Sequence, residues 1–182
     1  MPERADRGPS NRLLALLAFG CGLTAANIYY AQPLIEQISP TLGLTEASSG
    51  LIATAPQIGY VAGLVLMLPL CDLVENRRLA TMLLCASAVA ALAAPLGHAW
   101  LFLLALFGLG LGSVAVQVLV LLAVSLGPAS ARGRILGILT SALLVGVMLA
   151  RAIAGTIAEA FGWEAVFYFP AVSMLGLALA TN

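Results

Sequence analysis

Five polar side chains stand isolated in long apolar stretches of this sequence, and they are its candidate binding residues. They are Asn27, Tyr30, Gln57, Gln117 and Arg151. Amide and phenol groups hydrogen-bond neutral polar groups, and a guanidinium binds a carboxylate or phosphate through two parallel hydrogen bonds. Each is costly to bury without a partner, so these residues indicate ligand binding or contacts between helices.

The chain around them is far more apolar than a water-soluble domain. Of its 182 residues 62% are hydrophobic and 9% are charged, whereas a soluble domain has about 25% charged residues. Eight basic residues balance eight acidic ones, so no net field attracts nucleic acid. The three cysteines have no paired spacing, and no His/Asp/Glu cluster suggests a metal. We expect a membrane protein that is not an enzyme and binds neither metal nor cofactor.

Charge-free stretches predict six membrane-spanning helices, because about 20 apolar residues cross about 30 Å of hydrocarbon. The stretch from Leu79 to Ala131 is too long for one crossing and breaks at Pro95–His98. The predicted spans are 13–35, 47–70, 79–96, 100–126, 135–158 and 164–181. A cleaved signal peptide is the alternative for the first stretch, although its apolar run continues to Ile35. Residues 1–182 are therefore expected to form a single six-helix transmembrane domain in the bilayer.

The arginines outside the spans fall on one side of this arrangement. They are Arg4, Arg7, Arg12, Arg77, Arg78, Arg132 and Arg134. The opposite connections contain acidic residues and His98 but no Arg. Because basic residues accumulate in cytoplasmic loops, we expect a cytoplasmic N terminus. Trp100 and Trp163 fall at the predicted outer boundary, as in an aromatic belt.

The connection after the second span resembles the cytoplasmic signature of the major facilitator superfamily, Gly-x-Leu-Ala-Asp-Arg-x-Gly-Arg-Arg. Asp72 and the pair Arg77–Arg78 match it. Other positions depart from it, among them Leu68, Leu73 and Glu75 in place of Gly, Arg and Gly. The resemblance implies that Asp72, Arg77 and Arg78 form a conformational latch between the halves of a transporter. The alternative is that the arginines only fix the topology.

The fifth span is similar to the antiporter signature of the same family, Gly-x-x-x-Gly-Pro-x-x-Gly-Gly. Gly146 and Gly155 fit, whereas Arg151 stands where Pro is expected. The turn 161–163 before the sixth span and the segment 27–33 resemble the family's bacterial drug-efflux-like permeases. The resemblance covers nearly all of this chain but only half of a 12-span transporter.

This resemblance implies an all-α bundle of six transmembrane helices, built as 3+3 inverted repeats, that is the N-terminal half of the transporter. The C-terminal half is then absent from this sequence. Such proteins move a small molecule by alternating access, and efflux is the expected direction. Spans one and four line the cavity, spans two and five face the other half, and spans three and six face lipid. The alternative is a truncated, non-transporting remnant or assembly module that needs a second half or a homodimer.

The candidate residues each have two interpretations within this frame. Arg151 is a counter-charge for an anionic substrate or part of an outer gate, or its guanidinium extends to the outer headgroups. Asn27 and Tyr30 are expected to hydrogen-bond a substrate or Arg151. The alternative for Asn27 is a hydrogen bond that joins two helices, and the alternative for Tyr30 is a place in the aromatic belt. Gln117 on span four is expected to contact substrate, whereas for Gln57 a role in helix packing is favoured over contact with substrate.

Small residues recur at every fourth position along the fifth span. They are Ala142, Gly146, Ala150, Ala154 and Ala158. Such rows let helix backbones approach closely. Because the resemblance places this span against the other half, we expect the row to be exposed here or to meet a second copy.

The predicted orientation can be tested with fusions to alkaline phosphatase, which acquires its disulfides only in the periplasm. A fusion after residue 78 should be inactive and a fusion after residue 98 active. Green fluorescent protein at the same two sites serves as the control and should give the reverse pattern. Active phosphatase at residue 78 would contradict a cytoplasmic N terminus.

Overall fold

The computed structural model describes residues 10–181, except for the side chains of Leu68 and Asp72. Nine α-helices occur in this part of the chain: α1 (Asn11–Ala26), α2 (Ile35–Thr41), α3 (Glu46–Ser49), α4 (Leu51–Met67), α5 (Asn76–Ala93), α6 (Ala99–Gly112), α7 (Ala115–Ser125), α8 (Arg132–Phe161) and α9 (Ala165–Thr181). Short 3-10 segments lie at Gln32–Leu34, Leu68–Asp72 and Ala129–Ala131. The long helices form an all-α bundle of six segments, with α6 and α7 sharing one.

Three helical segments are long and apolar enough to cross a membrane, judged by length and composition. They are Glu46–Cys71, Ala99–Ser125 and Ala129–Phe161. Asn11–Ala26 and Ala165–Thr181 are shorter apolar helices, and α5 has 18 residues. Membrane crossing by Asn11–Ala26, Ala165–Thr181 and α5 stays a prediction.

The first and fourth spans are not continuous helices, contrary to the simple reading of their apolar runs. In span one, α1 ends at Ala26, and a 3-10 segment follows at Gln32–Leu34. Pro33 has no N–H and in an α-helix its ring would crowd the carbonyl of Tyr29, so the α-helix cannot continue through this segment. In span four, a break at Ser113–Val114 separates α6 from α7. It follows Gly110 and Gly112, residues that weaken a helix.

The helices pair in a pattern that repeats between the two halves of the bundle. Span one (α1) packs on span five (α8), span four (α6) packs on span two (α4), and span three (α5) packs on span six (α9). Exchanging spans one to three with spans four to six leaves these pairings unchanged. The contacts thus follow the pattern of two three-helix repeats.

Glycines permit the closest of these contacts. A Cβ on Gly22 of α1 would lie 2.8 Å from the carbonyl oxygen of Ala142 on α8, and a Cβ on Gly146 would overlap the backbone of Gly22. In the equivalent pair, a Cβ on Gly110 of α6 would overlap the carbonyl of Pro56 on α4. Backbone therefore meets backbone in both pairs.

The small-residue row of span five packs within this chain, so the expectation that it would be exposed is wrong. Ala150 and Ala154 are fully buried and Ala158 is 6% exposed. They belong to a core cluster that includes Ala26 and Tyr30 of span one. The row forms the contact between α1 and α8, because α1 of the same chain packs against this face of α8.

An aromatic cluster closes the end of the bundle opposite Arg77. Phe102 lies edge-on to Trp163 and to Phe167, with ring centroids 5.7 and 5.4 Å apart. Trp163 is only 7% exposed, whereas Trp100 is 82% exposed. Trp163 therefore joins span four to span six, and the prediction that it forms part of an aromatic belt is wrong because its ring is used in packing.

The contact between α1 and α8 predicts a strong effect of one methyl group. We expect Gly146→Ala to lower the free energy of unfolding by about 1–3 kcal/mol, because its Cβ overlaps backbone that cannot give way. The matched control is Gly155→Ala on the same helix, where a Cβ would meet nothing within 4 Å. Thermal unfolding of the detergent-solubilised protein measures both. Equal unfolding temperatures for the two variants would contradict this packing.

Candidate functional site

A polar-edged cavity of 220 Å³ lies between spans one, two, four and five. Its polar lining consists of Tyr29, Gln57 and Tyr60. The apolar lining is Ala25, Ile28, Val61, Val116, Leu143 and Val147. A cavity with an apolar body and a few polar groups is the usual form of a small-molecule site.

One hydrogen bond fixes the polar edge of this cavity. The side-chain Nε2 of Gln117 on α7 donates to the hydroxyl oxygen of Tyr60 on α4, at 2.9 Å. Both side chains are half-buried. The bond joins span four to span two and leaves the Tyr60 hydroxyl proton available to an acceptor, because this oxygen accepts from Gln117.

A second hydrogen bond holds Arg151 beside the cavity. Its Nη2 donates to Oε1 of Gln32 at 3.0 Å. The two residues line a pocket of 420 Å³ together with Gln57, which also lines the first cavity. Gln57 is exposed and lies between the two spaces, because it lines both of them.

Local backbone structure explains how Gln32 reaches Arg151. The helix of span one ends before Gln32, and the 3-10 segment that begins there packs on α8. Arg151 precedes the end of α8 at Phe161 by ten residues, or about 15 Å of helix. The exposed guanidinium of Arg151 is hydrogen-bonded there to the side-chain amide of Gln32 on span one.

Asn27 and Tyr30 are placed away from this pair. The Arg151 guanidinium bonds to Gln32 and not to either of them, so the expected contact with Arg151 is wrong. Asn27 is 2% exposed, and neither amide atom has a hydrogen-bond partner among the described residues. Tyr30 is 2% exposed and lies edge-on to Phe169, with ring centroids 6.0 Å apart. It is buried in helix packing, so its predicted place in the aromatic belt is wrong.

The structure also separates Tyr30 from the cavity. Its ring lines an apolar groove of 280 Å³ between α1, α8 and α9. Of the five predicted residues, the structure brings Gln57, Gln117 and Arg151 to one face of the bundle and leaves Asn27 and Tyr30 elsewhere. Substrate contacts by any of the five stay predictions.

Three polar residues of this face escaped the sequence reasoning, namely Tyr29, Gln32 and Tyr60. Tyr60 follows Gln57 by three residues, so it shares that helix face and could have been found from spacing. Tyr29 and Gln32 lie where span one is no longer an α-helix. No helical periodicity could place them.

In the expected latch, Nε of Arg77 donates to the backbone carbonyl of Thr181 at the end of α9. A cation there complements both the unpaired carbonyls and the negative end of the helix dipole. Arg78 is exposed. The Asp72 side chain lies outside the described part, so the latch between halves stays a prediction.

The described residues offer no metal site, since no group of three or more His, Cys, Asp or Glu lies close enough to hold an ion. The chemistry of the face is hydrogen bonding by amides and phenols together with one positive charge. This arrangement can bind and orient a small molecule.

Several curated proteins that are named as transporters are similar to this chain over most of its length. "Uncharacterized transporter YgaY" of Escherichia coli O157:H7 is 40% identical over 172 residues, 94% of this chain and 44% of that protein. "Probable transporter SCO4007" of Streptomyces coelicolor is 37% identical over 184 residues, 98% of this chain and 43% of that protein. "Inner membrane transport protein YnfM" of Escherichia coli K12 is 27% identical over 160 residues, 86% of this chain and 38% of that protein.

The chain thus spans less than half the length of these curated relatives. A family model described as Major Facilitator Superfamily matches residues 14–181. The match covers all six helical segments of the bundle and both broken spans. On this match and on the identity to the transporters, the chain belongs to the major facilitator superfamily.

Proposed function

We propose that this chain is the N-terminal half of a secondary transporter that moves a small molecule across a bacterial inner membrane by alternating access. The observation that carries the proposal is the polar-edged cavity between spans one, two, four and five. Its residues Gln57 and Tyr60 lie on the same face as Arg151 and Gln32. A ligand held there would meet groups from both three-helix repeats.

The geometry suits a site that has to release its ligand as well as bind it. In the absence of ligand, Gln117 donates to Tyr60 and Arg151 donates to Gln32, while the Tyr60 hydroxyl proton and the other guanidinium N–H groups stay available to a ligand. A ligand can therefore bind these groups without breaking either bond, and both bonds hold the site in place after its release.

The same face gives the second half a place to bind. Val61 on span two and Met148 on span five are 59% and 76% exposed, and Val61 lines the cavity. The curated relatives are more than twice as long as the matched segment. We propose that a further six-helix half covers this face, and that a homodimer would be its substitute if this chain acts alone.

The proposal includes the orientation of the chain in the membrane and the direction of transport. The arginine distribution supports a cytoplasmic N terminus, and the inner-membrane name of one relative supports the inner membrane. Efflux is proposed by analogy with the drug-efflux-like permeases that the sequence resembles. A non-transporting remnant is the outcome against which these statements are tested.

Cysteine labelling tests alternating access without a known substrate. Cys21, Cys71 and Cys85 are first replaced by Ala, and Gln57→Cys is introduced at the exposed junction of the two spaces. We expect a membrane-impermeant maleimide to label Cys at position 57 both in spheroplasts and in inverted vesicles, because the cavity opens to each side in turn. The control is Val89→Cys on span three, which is 67% exposed and expected to face lipid.

The labelling is measured for this chain alone and for the product of any longer reading frame that continues beyond codon 182. Labelling from both sides in the longer product, with position 89 unlabelled, supports a half transporter. If position 57 is unlabelled from both sides in every product, no aqueous path exists and the remnant interpretation replaces the proposal. Labelling from one side only contradicts alternating access.

A further inference from the structure

We propose that the ligand of this cavity is an amphiphilic organic anion, whose carboxylate or sulfonate binds Arg151 while its apolar body lies against Tyr29 and Tyr60. This inference rests on the proposed function, and it names the class of substrate. Three features support it, namely the charge of the lining, the free donors of Arg151 and the division of the site into a charged and an apolar part.

The lining of the site carries a positive charge. Arg151 is the one ionised side chain among the residues described as lining the two neighbouring spaces. Its hydrogen-bond partner Gln32 is a neutral amide and does not compensate the charge. A cation entering this site is repelled, and a neutral molecule gains only the weaker attraction between a charge and a dipole. An anion is attracted by the full unit charge.

The guanidinium has donors to spare for such a ligand. It carries five N–H groups in a planar fork, and the bond to Gln32 uses one Nη2 hydrogen. The fork fits the two oxygens of a carboxylate or sulfonate. Gln32 then acts as a positioning residue, because its bond keeps the guanidinium from extending toward the headgroups.

The apolar part of the site is next to the charged part. Gln57 lines both spaces, so they are adjacent. In the proposed complex, a ligand that binds Arg151 extends past the exposed Gln57 side chain into the 220 Å³ cavity. There the lining is aliphatic apart from Gln57 and the two tyrosines. Burial of an apolar body there adds binding free energy at about 25 cal/mol per Å² removed from water. A small inorganic anion would leave this surface unused.

The cost of placing Arg151 in the membrane also favours an anion. An Arg within a span costs about 2.5 kcal/mol or more unless it is paired. An anionic ligand pairs it and offsets part of that cost, whereas a ligand of any other charge leaves the cost in place. The difference in binding free energy between an anion and other ligands therefore comes from the ion pair with Arg151, and such differences determine selectivity.

Charged thiol reagents test the inference at position 57. In the protein with its native cysteines replaced and Gln57→Cys introduced, the rates of modification are measured with an anionic and a cationic methanethiosulfonate of the same size. Each rate is normalised to that of a free thiol in solution. We expect the normalised anion-to-cation ratio to exceed one, and to fall roughly tenfold when Arg151→Ala is added, because one unit charge close to the thiol is removed.

Two further variants separate charge from structure. Arg151→Lys keeps the charge and should keep most of the ratio, whereas Arg132→Ala removes an arginine from the connection before span five and should leave the ratio unchanged. In the same membranes, benzoate, benzamide and benzamidine compare one ring with charges −1, 0 and +1. Benzoate alone should slow the modification of position 57, and Arg151→Ala should abolish this protection.

The outcomes distinguish the two proposals. If position 57 reacts with neither reagent, the proposed transport path itself fails. If it reacts with both, but the cation is favoured or the ratio is insensitive to Arg151→Ala, the path stands and the anion inference is overturned. Protection by benzamidine in preference to benzoate also overturns it.

Discussion

Two helix pairs in this bundle approach so closely that no side chain fits between their backbones. Gly22 meets Gly146 where α1 crosses α8, and Gly110 meets Pro56 where α6 crosses α4. In a bilayer, where lipid tails compete with side chains for apolar contact, such close packing is what holds helices together. The rest of the bundle is arranged around these two crossings.

The position of Arg151 depends on the first crossing. Gly146 lies five residues, or about one and a half turns, before Arg151 on the same helix. Once α1 and α8 are locked at Gly22, the end of span one is brought against α8, and Gln32 comes within hydrogen-bond distance of the guanidinium. The guanidinium charge of Arg151 would be unfavourable on an isolated helix. In the bundle it is hydrogen-bonded to Gln32 and lies next to the cavity.

The two helix breaks contribute to the same arrangement. Span one becomes irregular after Ala26, and span four breaks at Ser113–Val114. Both are spans that the resemblance to the family predicts to line the cavity. Beyond each break the side chains no longer follow the helix face set by the preceding turns. Tyr29 and Gln117 thereby reach the same side of the bundle.

The sequence by itself determined the fold class, because apolar stretches of about 20 residues separated by charged connections admit few arrangements. It also identified Gln57, Gln117 and Arg151 as unusual, since polar groups in apolar runs stand out without any structure. The pairing of Arg151 with Gln32 and the burial of Asn27 and Tyr30 were decided only by the tertiary structure. The small-residue row showed that span five packs closely but not on which neighbour. Sequence spacing gives the face of a regular helix, whereas the partner across a contact depends on helix crossings and on breaks such as those in spans one and four.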